Sequence, residues 1–313
     1  MTTSKQFTLI RLPNWLGDIV MALPVIGGIA KQKPSITLLG NASFAPLLNY
    51  FYPELPYQAL PKKGFTYYPK CLALRQPYSQ AILFANSQRS DIEALLMGAK
   101  KRYGIAWAQR PRKSLTHRYL IKHPEQDGQR HQTQLWADFT AHFHLQQQIS
   151  YQPFHQQNDK DNSIILICGS ENSPEKRWPI SHWRTLINAL LENSSVTLLL
   201  TGTKNDQEIT HTIANGYPKQ RVQNLAGQTS FSDYLTYLSR AQLVIGNDTG
   251  GLHLANALGT PVIGLYGPTN PQRTRPIFAS SVAVLQPPNC PANGGAEIAQ
   301  LMPESVLSAV QSV

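Results

Sequence analysis

Residues Gln242 to Pro271 read QLVIGNDTGGLHLANALGTPVIGLYGPTNP, and this stretch decides the fold. It opens with a short apolar run, Leu243 to Ile245, which ends at a polar turn from Gly246 to Gly251. Leu252 to Leu258 is typical of a helix, and Pro261 to Tyr266 is typical of a second buried strand. Strand, glycine turn, helix and strand make the βαβ unit of a parallel sheet, so the sequence predicts an α/β protein.

The turn of this unit is also where the sequence predicts a ligand. It follows the carboxyl end of a strand, where open α/β sheets bind ligands. The N–H groups that begin the next helix have no partner inside it, and the helix dipole favours an anion such as phosphate. We therefore predict binding roles for Asp248, Thr249, Gly250, Gly251 and His253, the glycines leaving no side chain between backbone and ligand. The alternative is that Asp248 and Thr249 merely cap the helix and that His253 is a packed histidine.

The composition is that of a soluble protein from a reducing compartment. The 313 residues are enough for two domains of ordinary size. Apolar runs such as Ile164 to Cys168 are far shorter than a membrane span, and the sequence MTTSKQFTLIRLP at the N-terminus lacks the apolar core of a signal peptide. Cys71, Cys168 and Cys290 are widely spaced without a CxxC pair, which argues against disulfides or a zinc site. We expect a cytoplasmic location.

The net charge of +10 is concentrated in one tract. Between Ala94 and Pro124 there is no acidic residue. The tract contains Lys100, Lys101, Arg102, Arg110, Arg112, Lys113, Arg118 and Lys122. Such a surface suits an anionic lipid headgroup or a phosphorylated glycolipid. A solvated face is the simpler alternative, and nucleic acid is disfavoured because no helix-turn-helix, RNP or zinc-finger pattern is present.

The chain divides into two similar halves. Phe7 to Leu12 predicts a buried strand that ends at a polar turn, and Ser163 to Cys168 begins a second alternation of strands and helices. The glutamine-rich segment from Gln146 to Asn162 is typical of a linker. We predict a first domain over residues 1–155 and a second over residues 156–313, with the polar turns facing a cleft between them.

Three further expectations concern the rest of the chain. The Pro- and Tyr-rich segment from Tyr52 to Pro77 is predicted to be irregular. Met302 to Val313 is predicted to form a terminal helix that packs back on the first domain. The GxGxxG and GxxxxGK[ST] patterns are absent from the sequence, which disfavours ordinary dehydrogenases and kinases.

Four segments together carry a family resemblance. They are RLPNWLGDIVMALP (Arg11 to Pro24), GSENSPEKRWPISHW (Gly169 to Trp183), NLAGQTS (Asn224 to Ser230) and the GNDTGG stretch quoted above. In this order and spacing they resemble the ADP-heptose:lipopolysaccharide heptosyltransferases, glycosyltransferase family 9. LPNWLGD and KRWP are more similar to the heptosyltransferase II branch than to the heptosyltransferase I branch.

The resemblance implies a GT-B fold, with two Rossmann-like domains around a central cleft. The first domain would bind the acceptor and the second would bind ADP-heptose. The implied reaction is an inverting transfer of heptose to the inner core of lipopolysaccharide, at the cytoplasmic face of the inner membrane. It implies an anionic, lipid-linked acceptor, peripheral contact with the membrane and no nucleic acid. We expect a monomer that requires neither a metal nor another cofactor.

The resemblance also implies roles for individual residues. Asp18 matches the family's catalytic aspartate, with helix capping as its alternative, and Lys176 matches a catalytic lysine that contacts the donor phosphates. The other predicted donor-binding residues are Ser170, Glu171, Asp206 on the ribose and Thr229 beside the adenine, together with Asp248, Thr249, Gly250, Gly251 and His253. The predicted acceptor-binding residues are Asn14, Trp15, Arg110, Arg112 and Lys113.

Two rival functions stay open at this point. One is a related transferase or sugar-nucleotide epimerase of the same fold that uses another nucleotide sugar. The other is a non-catalytic protein that binds a glycolipid or a nucleotide. Asp18 and Lys176 in their expected contexts favour an enzyme over the non-catalytic alternative.

Overall fold

The structure is a computed structural model that describes residues 7–33, 35–123, 129–155, 159–170 and 173–312. The chain forms two compact units, residues 1–150 and residues 151–313. The division falls at Ser150, close to the boundary at 155 expected from composition. Each unit is an α/β sandwich built on one parallel sheet.

The first unit contains a six-stranded parallel sheet in the order β3-β2-β1-β4-β5-β6. Its central strand β1 buries four of its five residues, as a parallel strand covered on both faces should. The strands are β1 (Phe7–Arg11), β2 (Ile36–Gly40), β3 (Tyr57–Ala59), β4 (Tyr78–Leu83), β5 (Lys101–Trp107) and β6 (His117–Ile121).

Helices cover this sheet. They are α1 (Leu16–Gln32), α2 (Ala45–Phe51), α3 (Tyr67–Ala73), α4 (Gln88–Leu96) and α5 (Gln132–His142). A reciprocal capping box between Ser87 and Ser90 begins α4. The prediction that residues 52–77 are irregular is wrong, because this segment contains β3 and α3. Tyr67 and Cys71 are buried, lie one turn apart and anchor α3. The segment is rich in proline and tyrosine, so its sequence pattern did not predict a helix.

The second unit repeats the same topology, with its sheet in the order β12-β11-β10-β7-β8-β9. Its strands are β7 (Ser163–Ile167), β8 (Thr197–Thr201), β9 (Val222–Asn224), β10 (Leu243–Asn247), β11 (Val262–Leu265) and β12 (Val282–Leu285). Counted from its own first strand, this order is that of the first unit and of the doubly wound dinucleotide-binding folds. The strand order reverses between β1 and β4 in the first unit and between β7 and β10 in the second.

The helices of the second unit are α6 (Ile180–Asn193), α7 (Gln207–Ala214), α8 (Phe231–Arg240), α9 (Gly250–Ala257), α10 (Pro271–Thr274) and α11 (Pro303–Val310). The predicted strand, turn, helix and strand of the decisive stretch are confirmed as β10, α9 and β11. The terminal helix α11 is part of the second unit, and the expectation that it packs back on the first domain stays a prediction. Val306 is fully buried in the second core, where α11 packs against α6.

Among the helices that the structure describes, none combines the length and the apolar character needed to cross a bilayer.

Candidate functional site

The decisive turn lies where the strand order of the second sheet reverses. Asn247 ends β10, Asp248 and Thr249 form the turn, and Gly250 begins α9. Thr249 holds the N-cap position of α9, yet its hydroxyl makes no capping bond. This hydroxyl oxygen is buried and has no hydrogen-bond partner among the described residues. Capping by Thr249 therefore does not explain this turn, and a buried hydroxyl beside a helix N-terminus is available to a ligand.

Lys176 supplies a positive charge at the same turn. Its Nζ lies 3.0 Å from Oδ2 of Asp248, and the side chains are 23% and 5% exposed respectively. Lys176 is the last residue of a short 3₁₀ turn, Pro174–Lys176, in the loop between β7 and α6. The structure thus brings together two residues that lie 72 positions apart and that the sequence predicted independently.

His253 and Tyr266 complete the surroundings of Asp248. His253 Nε2 lies 3.9 Å from Oδ1 of the carboxylate, and the imidazole is buried. Burial opposes the ionisation of Asp248, but the imidazole of His253 and the charge of Lys176 outweigh it and hold the pKa of Asp248 below its usual value. Burial and the adjacent Asp248 carboxylate raise the pKa of Tyr266. The cluster is thus anionic only at Asp248, with a cation and two polar rings around it.

A buried amide holds the lysine loop against the turn. Asn247 Nδ2 donates to the carbonyl of Cys168 at 2.8 Å, and its Oδ1 accepts from the backbone N–H of Trp178 at 3.2 Å. The indole N–H of Trp178 donates to the carbonyl of Leu301 at 2.7 Å. No role is predicted from the sequence for Asn247 or Tyr266. For Asn247 the available signal was a polar residue ending an apolar strand inside GNDTGG.

The residues that follow β7 are also at this edge of the sheet. Ser170 is buried, and its carbonyl accepts hydrogen bonds from Nε and Nη2 of Arg177 at 3.2 and 2.9 Å. The guanidinium therefore fixes the start of the loop that carries Lys176. Glu171, a predicted donor-binding residue, lies outside the described residues.

Asp206 has a structural role at the start of α7. Its Oδ2 accepts from the backbone N–H and the hydroxyl of Thr203, both at 2.9 Å, in a capping box ahead of α7. Its Oδ1 is buried against Gly169, where a β-carbon would collide with the carboxylate. The carboxylate of Asp206 thus serves as a cap and is enclosed by protein, and its predicted contact with the ribose stays a prediction.

Thr229 and Gly251 lie where α8 meets α9. Thr229 is half-buried and precedes Ser230, the N-cap of α8, and its predicted place beside the adenine stays a prediction. A β-carbon at Gly251 would collide with the hydroxyl of Tyr234 in α8 and approach Ile167 to 2.9 Å. Gly251 is therefore required for the close packing of α9, and its predicted role toward a ligand stays a prediction. Gly250 is half-buried at the first position of the helix.

Asp18 lies at the corresponding place in the first unit, beyond the carboxyl end of β1. The helix α1 begins at Leu16 with Trp15 as its N-cap, so Asp18 is in the first turn and is half-buried. The alternative in which Asp18 is the N-cap residue does not match this geometry. Trp15 is 59% exposed, and exposed Asn14 accepts at 3.0 Å from Nη2 of Arg11. Arg11 in turn forms a buried ion pair with Glu93, at 2.6 Å.

The predicted basic acceptor surface is only partly present. Arg110 and Lys113 are exposed in the loop after β5, at the same edge of the sheet as Asn14. Arg112 is buried instead: it pairs with the buried carboxylate of Asp91 and donates to the carbonyl of Ile105 at 2.7 Å. The prediction that Arg112 contacts the acceptor is wrong, because its guanidinium is fully engaged inside the unit.

No group of three or more His, Cys, Asp or Glu residues that could hold a metal ion occurs in the described part of the chain.

Two doubly wound units define a two-domain Rossmann-like scaffold, and in the second unit Lys176 lies at the strand-order reversal, where such sheets bind ligands. The model of glycosyltransferase family 9 (heptosyltransferase) matches residues 72–298, more than half of the chain. The chain therefore belongs to glycosyltransferase family 9. The match includes the lysine loop and the Asp248 turn, whereas Asp18 lies before it.

Individual relatives agree with this family. A lipooligosaccharide heptosyltransferase 2 of Haemophilus influenzae is 34% identical over 121 residues, which cover 37% of this chain and 35% of that protein. The chain thus spans about a third of the length of this curated relative. The solved structure of the Escherichia coli ADP-heptose lipopolysaccharide heptosyltransferase II has a TM-score of 0.78 at 22% identity, covering 98% of each chain.

A second solved structure, an E. coli heptosyltransferase with ADP, also has a TM-score of 0.78, at 20% identity, and covers 98% of this chain and 99% of that one. At this identity the two structures establish the fold. The predicted fold class, two Rossmann-like domains of the GT-B type, is confirmed.

Proposed function

We propose that this protein is an inverting glycosyltransferase that moves L-glycero-D-manno-heptose from ADP-heptose to the inner core of lipopolysaccharide. The observation that carries the proposal is the cluster of Lys176, Asp248 and His253 at the start of α9, where the second sheet reverses its strand order. Membership of family 9 and the ADP-heptose named for a structurally similar E. coli enzyme support the donor.

The second unit is proposed to hold the ADP part of the donor. The diphosphate would accept hydrogen bonds from the N–H groups at the start of α9, from the hydroxyl of Thr249 and from the ammonium of Lys176. Because Lys176 already pairs with Asp248, the lysine is held at the turn before the donor arrives. As the glycosidic C–O bond breaks, the same groups stabilise the charge that develops on departing ADP. They supply this stabilisation with no required metal or other cofactor.

The first unit is proposed to supply the base. In an inverting single displacement the acceptor hydroxyl attacks the anomeric carbon while a base removes its proton. Asp18 is the proposed base. Its carboxylate is half-buried and lies beyond the carboxyl end of β1, where open α/β sheets bind ligands.

The acceptor is proposed to be an anionic, lipid-linked inner-core saccharide. Exposed Arg110 and Lys113, with Asn14 and Trp15 at the same edge of the sheet, offer cations, an amide and an aromatic face to such a molecule. We place the enzyme in the cytoplasm, as a monomer bound peripherally to the inner face of the inner membrane.

Calorimetric titration with ADP, UDP and GDP tests the donor site and its base preference together. We expect ADP to bind and Lys176→Ala to weaken its binding about 10- to 150-fold, because a charge-assisted hydrogen bond contributes about 1.5–3 kcal/mol. Exposed Lys219→Ala is the matched control and should leave the affinity unchanged. Unaltered ADP binding by the Lys176 variant, or a preference for UDP, would refute the donor assignment and favour a transferase or epimerase for another nucleotide sugar.

The catalytic assignment is tested by turnover of Asp18→Asn and Asp18→Ala. A positioned base contributes about 10²–10⁴-fold to the rate, so Asp18→Asn should lower turnover by that factor with ADP affinity nearly unchanged. Its melting temperature should stay close to that of the parent protein, because loss of one first-turn charge costs about 0.3–1 kcal/mol. Normal turnover in Asp18→Asn combined with destabilisation in Asp18→Ala would show a structural role.

A further inference from the structure

The loop before α3 exposes large apolar side chains to solvent. Phe65 is fully exposed at its tip, and Tyr68 and Leu72 on the first turns of α3 are 41% and 46% exposed. A side chain added at Gly64 would meet nothing within 4 Å, so the tip projects away from the unit. Single exposed apolar residues are ordinary, but three within eight positions on one projecting element form a patch.

The helix is built to present this patch. Tyr67 and Cys71 are buried and fix α3 to the unit, and the hydroxyl of Tyr67 donates to the buried carboxylate of Glu93. Tyr68 and Leu72 follow them by one position each and are separated by one turn, so they share the adjacent, outward face. Tyr68 and Leu72 therefore project from a firmly anchored helix, and Phe65 lies two residues before its first residue.

Lysines flank the patch along the chain, and the segment from residue 55 to residue 123 has few acidic residues. Lys62, Lys63 and Lys70 are all exposed. Residues 55–123 contain thirteen lysines and arginines but only two acids, Asp91 and Glu93. Both acids are buried in ion pairs, with Arg112 and Arg11 respectively. The solvent-facing charge contributed by this whole segment is therefore positive.

We propose that Phe65, Tyr68 and Leu72 insert into the interfacial region of an anionic lipid bilayer, with Lys62, Lys63 and Lys70 on the headgroups. A bilayer fits this element better than a protein does. A projecting aromatic tip enters a deformable apolar layer, whereas lysine is depleted from protein interfaces. Lysine stems lie along the apolar boundary while their ammonium groups stay among anionic headgroups. This inference deepens the membrane contact of the proposed function by naming the element that makes it.

The two kinds of contact respond differently to salt. Attraction of lysines to anionic headgroups weakens as ionic strength rises, whereas transfer of a phenyl ring out of water does not. Full burial of a phenylalanine side chain corresponds to about 10- to 150-fold in a partition coefficient. Because the ring enters only the interface, we expect Phe65→Ser to lower partitioning by about tenfold at every salt concentration.

Co-sedimentation with vesicles tests the inference. The vesicles are phosphatidylglycerol mixed with phosphatidylcholine, and phosphatidylcholine alone serves as the neutral comparison. Phe65→Ser should lose binding at high and low salt, and Lys62→Gln combined with Lys63→Gln should lose it mainly at low salt. Phe65→Trp should bind like the parent, and lipids brominated on the acyl chain should quench additional fluorescence in this variant. Leu95→Ser is the matched control, since Leu95 is 47% exposed on α4 and should not affect binding.

Four results would overturn the inference: no binding to anionic vesicles, equal binding by Phe65→Ser, equal loss in Leu95→Ser, or no added quenching in Phe65→Trp. Sedimentation velocity without lipid identifies the competing occupant, because self-association that Phe65→Ser abolishes would assign the patch to a second copy of the chain. Titration with ADP separates this test from the proposed function. A protein that binds ADP but not vesicles refutes only the membrane inference, and one that binds vesicles but not ADP refutes only the donor assignment.

Discussion

The ion pair between Lys176 and Asp248 should be measurable as an energetic coupling in the free protein. Two unit charges 3.0 Å apart interact by about 5–6 kcal/mol at an effective dielectric constant of 20. Solvent screens part of this energy because Lys176 is 23% exposed, so we expect a measured coupling of about 1–3 kcal/mol. Lys176→Met leaves a buried carboxylate without its cation, whereas Asp248→Asn removes the charge that needs one. The second substitution should therefore relieve part of the cost of the first.

Urea unfolding of the parent, the two single variants and the double variant at pH 7 gives this coupling as a double-mutant cycle. Exposed Lys219→Met is the control and should change stability by less than about 0.5 kcal/mol. Additive effects of the two substitutions would show that Lys176 and Asp248 do not interact in solution. The proposal that Asp248 holds Lys176 at the turn before the donor binds would then be incorrect.

The same cycle has a defined pH dependence. The pKa of Asp248 is lower in the folded protein than the value of about 3.9 expected for the unfolded chain. Folding therefore favours the charged form, and its stabilising contribution is present above about pH 4 and is lost as the pH falls through the folded pKa. The coupling should be constant from neutral pH to about pH 5 and should decline below about pH 4. A coupling that disappeared between pH 5 and pH 7 would contradict its assignment to the Asp248 carboxylate.

Two further predictions concern packing and buried charge. Gly251→Ala should destabilise the protein by about 1–3 kcal/mol, because the added methyl group meets the hydroxyl of Tyr234. The destabilisation should be smaller in a Tyr234→Phe background, and thermal unfolding of the parent, the two single variants and the double variant measures it. An equal destabilisation in both backgrounds would show that the strain does not come from Tyr234. Arg112→Met should cost about 3–5 kcal/mol by leaving Asp91 buried without a cation, whereas exposed Lys113→Met should cost less than about 0.5 kcal/mol; similar urea midpoints for the two variants would contradict the buried pair.

The sequence alone predicted the elements whose structure is determined by neighbouring residues. The run of apolar residues, glycine turn and helix between Leu243 and Ala257 is specified by neighbouring residues, and the structure has it almost as predicted. The short strands β9 and β12 escaped prediction. Each has only three or four residues at the edge of the sheet, and each becomes a strand by pairing with β8 or β11, which the sequence pattern does not show.

Site residues were misjudged where a distant partner decides the role. Arg112 looked like part of an uncompensated basic tract because its partner, Asp91, lies 21 positions away. The packing role of Gly251 was not predicted because Tyr234 lies 17 positions away in the sequence. Asn247 went unassigned for a similar reason, since its value lies in joining Cys168 and Trp178 across the sheet. Residue type predicted which groups can bind a ligand, but only the tertiary contacts showed which of these groups already bind other residues of the chain.

The hydrogen bond from Trp178 to Leu301 spans 123 positions and sets an order for synthesis on the ribosome. The first unit is one continuous segment, so all of its strands emerge before the second unit begins. In the second unit the loop that carries Lys176 emerges early but cannot be fixed until Leu301 has followed. A nascent chain arrested between these points would have a complete first unit beside an unfinished donor site. Such a truncated product would expose the indole of Trp178 and part of the second core, and cellular proteases would be expected to remove it.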